Sequence, residues 1–162
     1  MSNIDQLVEA NATYAESFDQ GDLPMPPGKH VAIITCMDAR VVPEKALGFK
    51  EGDVHVIRNA GGRPHDALRS LVVSQRLLGT TEVMVIHHTD CGMLSFVNQD
   101  LHAKIKQDLG VDDSEDYLPF GDVEQSVRDD VNWLRDSPLV AGDVSVRGFV
   151  FDVKTGRLSE VR

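Results

Sequence analysis

Glu82-Val-Met-Val-Ile-His-His-Thr-Asp-Cys-Gly92 is the stretch on which the fold turns. Val83, Met84, Val85 and Ile86 are continuously apolar rather than alternating, the pattern of a strand covered on both faces in a parallel sheet. His30-Val-Ala-Ile-Ile-Thr35 and Val54 to Arg58 have the same texture and read as two earlier buried strands. Between the second and third strands, Ala67, Leu68, Leu71, Val72 and Leu78 lie on one helical face of Asp66 to Leu78, with Asp66 as the cap and Gly79 as the stop. Strand, helix, strand is a βαβ unit with an expected right-handed crossover.

Working outward, Val97, Leu101 and Ile105 step by four toward Gly110, which predicts a helix. An acidic loop over 110–121 follows. Val123, Val127, Val131 and Leu134 then share one face of a helix that ends before Pro138. Val144 to Val153 reads as a strand, and Lys154-Thr-Gly156 turns it into Arg157 to Val161. The predicted fold is α/β: a mainly parallel central sheet flanked by helices, with an added antiparallel C-terminal strand. At the other end, Ile4, Leu7, Val8, Tyr14 and Phe18 are spaced among acids as on an amphipathic arm, and Leu23-Pro-Met-Pro-Pro-Gly28 breaks the helix. Residues 1–28 are therefore expected to be a helical arm and linker, and 29–162 one α/β domain.

The 162 residues suit one compact core. A formal net charge of −10, with no Lys/Arg run, argues against nucleic acid or an anionic membrane as partner. No basic start leads into an apolar segment, and no apolar run approaches the ~20 residues of a membrane helix, so a soluble cytoplasmic protein is expected. In that compartment two cysteines are poor candidates for a structural disulfide.

Their positions suggest chemistry instead. Cys36 follows the first strand and Cys91 the third, and the carboxyl ends of parallel strands line the edge where such sheets bind ligands. His88 stands three residues before Cys91, so one turn can wrap two ligands around an ion. Two thiolates and one imidazole match the catalytic zinc pattern of three protein ligands plus one open position. Each piece alone is weak, since buried cysteines commonly act as small hydrophobes. Asp38 and Arg40 read blandly as a surface ion pair. Beside a dication the carboxylate could instead accept the proton of bound water or ligate the metal, with arginine fixing the choice through paired hydrogen bonds. A redox-active cysteine pair and an inert core pair are the rival readings.

Cys36-Met-Asp-Ala-Arg40, Arg58-Asn-Ala-Gly61 after the second strand, and His88-Thr-Asp-Cys-Gly92 after the third resemble the β-class carbonic anhydrases of the short prokaryotic type, from about residue 30 to the end of the chain. The resemblance implies a lyase that reversibly hydrates CO2 to bicarbonate and a proton. It implies one Zn2+ per subunit on Cys36, His88 and Cys91, with water as the fourth ligand or, in an inactive state, Asp38 freed from Arg40. It also implies a homodimer or higher assembly in which the N-terminal arm crosses to the partner. Ala60, Gly61 and the Gly92 amide are expected to shape the substrate pocket. Arg58 is a candidate for drawing in bicarbonate, although an arginine at a strand end is more often structural. Two features depart from the family: His87 replaces a glycine before the ligand histidine, and Val72-Val73-Ser74 replaces Glu-Tyr-Ala or Glu-Phe-Ala in the preceding helix. Neighbours on a strand point to opposite faces, so His87 is expected to be packed or hydrogen-bonded rather than a ligand. The alternatives are the same zinc site acting on CS2 or COS, and a non-catalytic zinc domain.

Overall fold

The computed structural model describes residues 1–162. Five strands form one sheet in the order β2-β1-β3-β4-β5: β1 (Val31–Cys36), β2 (Val54–Asn59), β3 (Glu82–His88), β4 (Ser145–Phe151) and β5 (Leu158–Val161). β1 runs parallel to both β2 and β3, β3 parallel to β4, and only the β4–β5 pair is antiparallel. The mixed sheet predicted from sequence is present, with β1 and β3 adjacent as the cysteine positions require.

Both faces of the central strands are covered, which is why their sequences do not alternate. On one face Ala32, Ile34, Val83, Val85 and Val146 pack against Ala67 and Leu71 of α3 (Pro64–Leu78) and against Val127, Val131 and Leu134 of α5 (Val123–Asp136). Leu71 and Leu134 are fully buried, and truncating either to alanine would cost about 2–5 kcal/mol. Ile33, Val41, Ile86, Phe149 and Phe151 form the opposite cluster, against Leu47 of the short α2 (Pro43–Leu47). Gly148 lets α5 lie directly on β4, since a Cβ there would stand 2.4 Å from Val127 Cγ1.

Three sequence expectations change. β2 is an edge strand and only partly buried, with Val56 38% exposed, because no strand pairs with its outer side. α3 starts at Pro64 with Arg63 in the cap position, so Asp66 lies inside the first turn. There it opposes the positive end of the helix dipole instead of capping it. α2 was not anticipated: five residues are too few for periodicity to show. The helix expected after Val97 is α4 (Asn98–Leu109), which has no buried residue. Helix α1 (Asn3–Glu16) also buries nothing, and Ile4, Leu7 and Val8 are 67–72% exposed. No helix is long and apolar enough to cross a membrane.

Candidate metal centre

β1 ends on Cys36, β3 ends on His88, and a tight turn then delivers Cys91. Asp90 has φ 55° in that turn, a left-handed conformation that Asp tolerates better than most residues. The ligand-capable atoms of Cys36, His88 and Cys91 all lie within 4.8 Å of one another, and all three residues are buried. The sulfurs are 4.0 Å apart, far beyond a disulfide bond. Two thiolates on a tetrahedral zinc at about 2.3 Å would stand roughly 3.8 Å apart. The donor set therefore already fits the ion in type, number and spacing.

The histidine is oriented for the same task. Its Nδ1 lies 2.9 Å from the Thr89 carbonyl oxygen, which can only accept, so Nδ1 carries the proton. Nε2 is left as a lone pair, buried and without a hydrogen-bond partner. Burial lowers the histidine's pKa, but the Cys36 thiolate and the Thr89 carbonyl outweigh it, and the net shift is upward.

One negative charge is stabilised at the cysteine pair without a metal. A hydrogen bond from Cys91 is the largest influence on the Cys36 thiol; burial opposes it, while His88 and backbone groups of Asp38 and Gly61 assist, and its pKa falls to about 4. Cys91 moves strongly the other way, because its contact with Cys36 and its own burial both disfavour a second negative charge there. Deprotonating both thiols calls for a nearby cation.

Asp38 and Arg40 form more than a surface ion pair. Arg40 donates its backbone N–H and Nε–H to Asp38 Oδ1 at 2.8 and 3.0 Å, and Nη2–H to Oδ2 at 2.8 Å. These bonds hold the Asp38 carboxyl well below the usual carboxylate range. Asp38 Oδ2 lies 3.7 Å from His88 Nε2, beside the three donors but outside the group that converges. With Arg40 engaging both its oxygens, Asp38 is held beside the donors in this arrangement, and its expected role as a ligand belongs to a state in which that engagement is released.

Sequence reasoning missed Asp90. Arg40 donates Nη1–H to Asp90 Oδ2 at 2.8 Å and Nη2–H to the Asp90 carbonyl at 2.9 Å. The turn between two candidate ligands thus also anchors the arginine. Its place inside His88-x-x-Cys91 and its residue type were the available signals; the contact spans 50 residues.

A pocket of about 150 Å³ opens beside the donors, lined by Cys36, Met37, Asp38, Ala60, Gly61, Cys91, Gly92 and Met93. Ala60, Gly61 and Gly92, expected to shape the pocket, lie in its lining. Arg58 is not free to draw in an anion: Nε donates to the Cys36 carbonyl at 3.0 Å, and Nη2 to those of Asp38 and Val41 at 2.8 and 2.9 Å. It clamps the loop that carries Asp38 and Arg40. His87 is fully buried and bonded through Nδ1 to Ser126 Oγ at 2.7 Å, facing away from the metal donors. At the other departure from the family, Ser74 bonds to His55 Nδ1 at 2.7 Å and to Thr80 at 2.6 Å, away from the pocket lining.

Residues 31–158 match the family model described as carbonic anhydrase. Beta-carbonic anhydrase 1 of Mycobacterium tuberculosis is 46% identical over 162 residues, covering 99% of each chain. Carbon disulfide hydrolase of Acidithiobacillus thiooxidans is 33% identical, over 83% of this chain and 78% of its own. The crystal structure of carbonic anhydrase from Streptococcus mutans superposes with a TM-score of 0.96 at 46% identity, covering 100% of this chain and 99% of the other. With its sheet order, its Cys-His-Cys donor set and this match over nearly its whole length, the chain belongs to the carbonic anhydrase family, in its β class of zinc-dependent lyases.

Proposed function

We propose that this chain hydrates CO2 reversibly, with zinc held by Cys36, His88 and Cys91, and with Asp38, oriented by Arg40, as the group that positions the nucleophile. The observation that carries this reading is the convergence of two sulfurs and an unpartnered imidazole nitrogen beside a small, mostly apolar pocket. When bound, zinc acidifies a water ligand to a pKa near 7 and supplies a nucleophile at neutral pH.

The chain's own residues do the rest. Asp38 stays ionised at neutral pH, so it can accept a hydrogen bond from the nucleophile and aim its lone pair into the pocket. Arg40 holds that carboxylate at three points, and Asp90 holds Arg40. Ala60, Gly61, Gly92 and Met93 present carbon surface and backbone to the substrate, which suits a molecule without charge. Thr89 fixes the His88 tautomer. Stopped-flow CO2 hydration with parallel metal analysis tests this; a pure, zinc-loaded preparation inactive from pH 6 to 9 overturns it.

A second reading keeps the site and changes the substrate to CS2 or COS. The apolar lining and the 33% identity to a protein named carbon disulfide hydrolase favour it. Sulfide release from CS2, measured beside CO2 hydration, separates the two.

We further propose that residues 1–28 act as an arm and that the protein is a homodimer or higher assembly. Ile4, Leu7 and Val8 on α1, Val56 on the β2 edge and Leu77 on α3 are all exposed, and packing against a second copy would remove this apolar surface from water. Leu7→Glu with Val8→Glu should lower the mass measured by light scattering; an unchanged mass refutes the arm's role. Thiol ligands also suit a reducing cytoplasm.

A further inference from the structure

Phe120, from the irregular segment before α5, has its ring stacked on buried His87, centroids 5.3 Å apart and planes 14° apart. The Arg63 guanidinium lies 5.5 Å from the same ring centroid. Both holding groups meet one carboxylate. Asp130 of α5 is fully buried, with Oδ1 3.0 Å from Arg63 Nη2 and Oδ2 3.1 Å from His87 Nε2. His65 approaches it at 3.9 Å and packs on Trp133 with ring centroids 4.0 Å apart. These contacts have ion-pair distances but poor hydrogen-bond alignment, leaving both Asp130 oxygens without a well-directed donor. Apolar side chains would fill this space at no such desolvation cost, so stability is a poor explanation for the arrangement.

The position of the ring suggests a better one. Phe120 N–H donates to the Met93 carbonyl at 3.2 Å. A Cβ placed on Gly61 would stand 3.0 Å from Met93 and 3.2 Å from Phe120. Gly61 and Met93 line the pocket beside the cysteines, whereas Phe120 lines a separate cleft of about 340 Å³ with Leu94, Phe96 and Val97. Phe120 and Met93 are therefore the partition between the two spaces.

We propose that Phe120 is a specificity-determining residue that seals the 150 Å³ pocket from the neighbouring cleft and limits the reacting molecule to small linear ones, and that Asp130 is the positioning residue holding its clamp. The proposal rests on the catalytic reading above but concerns the shape of the site, not its chemistry. Atomic access can be read independently of turnover, because Cys36 and Cys91 are the only cysteines.

The test compares wild type, Phe120→Ala, Phe120→Leu and Asp130→Asn, each as the full chain with folding checked by circular dichroism. Hydrolysis of 4-nitrophenyl acetate relative to CO2 hydration should rise about tenfold or more in Phe120→Ala, the scale on which apolar pockets discriminate size. In zinc-stripped protein, alkylation by N-cyclohexylmaleimide relative to iodoacetamide should rise by a similar factor. Phe120→Leu should fall between alanine and wild type, and serves if alanine fails to fold. Asp130→Asn should shift both ratios in the same direction by a smaller amount, since the ring is loosened rather than removed. Ratios within about twofold of wild type in both Phe120 variants overturn the partition. A response to Phe120 alone overturns the role given to Asp130. An inactive zinc-loaded wild type would sink the catalytic reading, and the alkylation ratios would still decide the partition.

Discussion

Asp130→Leu is the perturbation whose size can be worked most directly from the structure. The side chains of Asp130 and Arg63 are 1% and 11% exposed and 3.0 Å apart, so solvent screens the pair little. Removing one member leaves the Arg63 guanidinium buried against Phe120 without a counter-charge, and such losses cost about 3–5 kcal/mol. For a chain of this length each kcal/mol moves the melting temperature by about 2–4 °C, so the variant should melt roughly 6–20 °C lower. Arg63→Met combined with Asp130→Leu removes both charges and replaces them with apolar bulk. That double variant should return to within about 1–2 kcal/mol of wild type. Scanning calorimetry of the zinc-loaded protein at fixed concentration, completed as a double-mutant cycle, gives the coupling. A single variant that loses less than about 1 kcal/mol, or a double variant that loses the sum of the two singles, would refute the idea that buried charge pairing ties α5 to the pocket turn.

Cys36→Ser and Cys91→Ser should each lose most bound zinc by elemental analysis, whereas Asp38→Ala should retain zinc yet drop hydration by about 100-fold or more. Because Arg40 depresses the Asp38 pKa, Asp38 remains charged across neutral pH and favours the folded state there; that contribution fades only as pH falls through its lowered folded-state value. In Arg40→Ala the carboxyl should return toward about 4, and a new acid limb should appear in the activity profile below about pH 5. An unchanged profile would show that Arg40 does not set the state of Asp38. Zinc binding at pH 7 should release at least about one proton, since the two neighbouring thiols favour only one negative charge between them without the metal and both bind it as thiolates. Calorimetry in buffers of different ionisation enthalpy measures that number, and near-zero release would contradict the charge assignment.

Strands β1 to β4, the helices α3, α4 and α5 and the antiparallel closing strand were legible in the sequence because each follows from a local pattern of apolar period, glycine stops or a turn. Cys36, His88 and Cys91 were legible for a related reason: each terminates a parallel strand or follows it by a short turn, and the ends of adjacent parallel strands must share an edge. Spacing does not reveal which partner a side chain finds across the fold. Only tertiary packing turned Arg58 onto three carbonyl oxygens, placed Asp90 on Arg40, and brought Arg63, His87 and Asp130 together around Phe120. It also made β2 an edge, since strand order depends on pairing energies summed over the whole sheet and not on the residues of one strand. The donors of the metal site belong to the sequence; the shape of the space in front of them belongs to the packing, which brings residues far apart in the chain into one small volume.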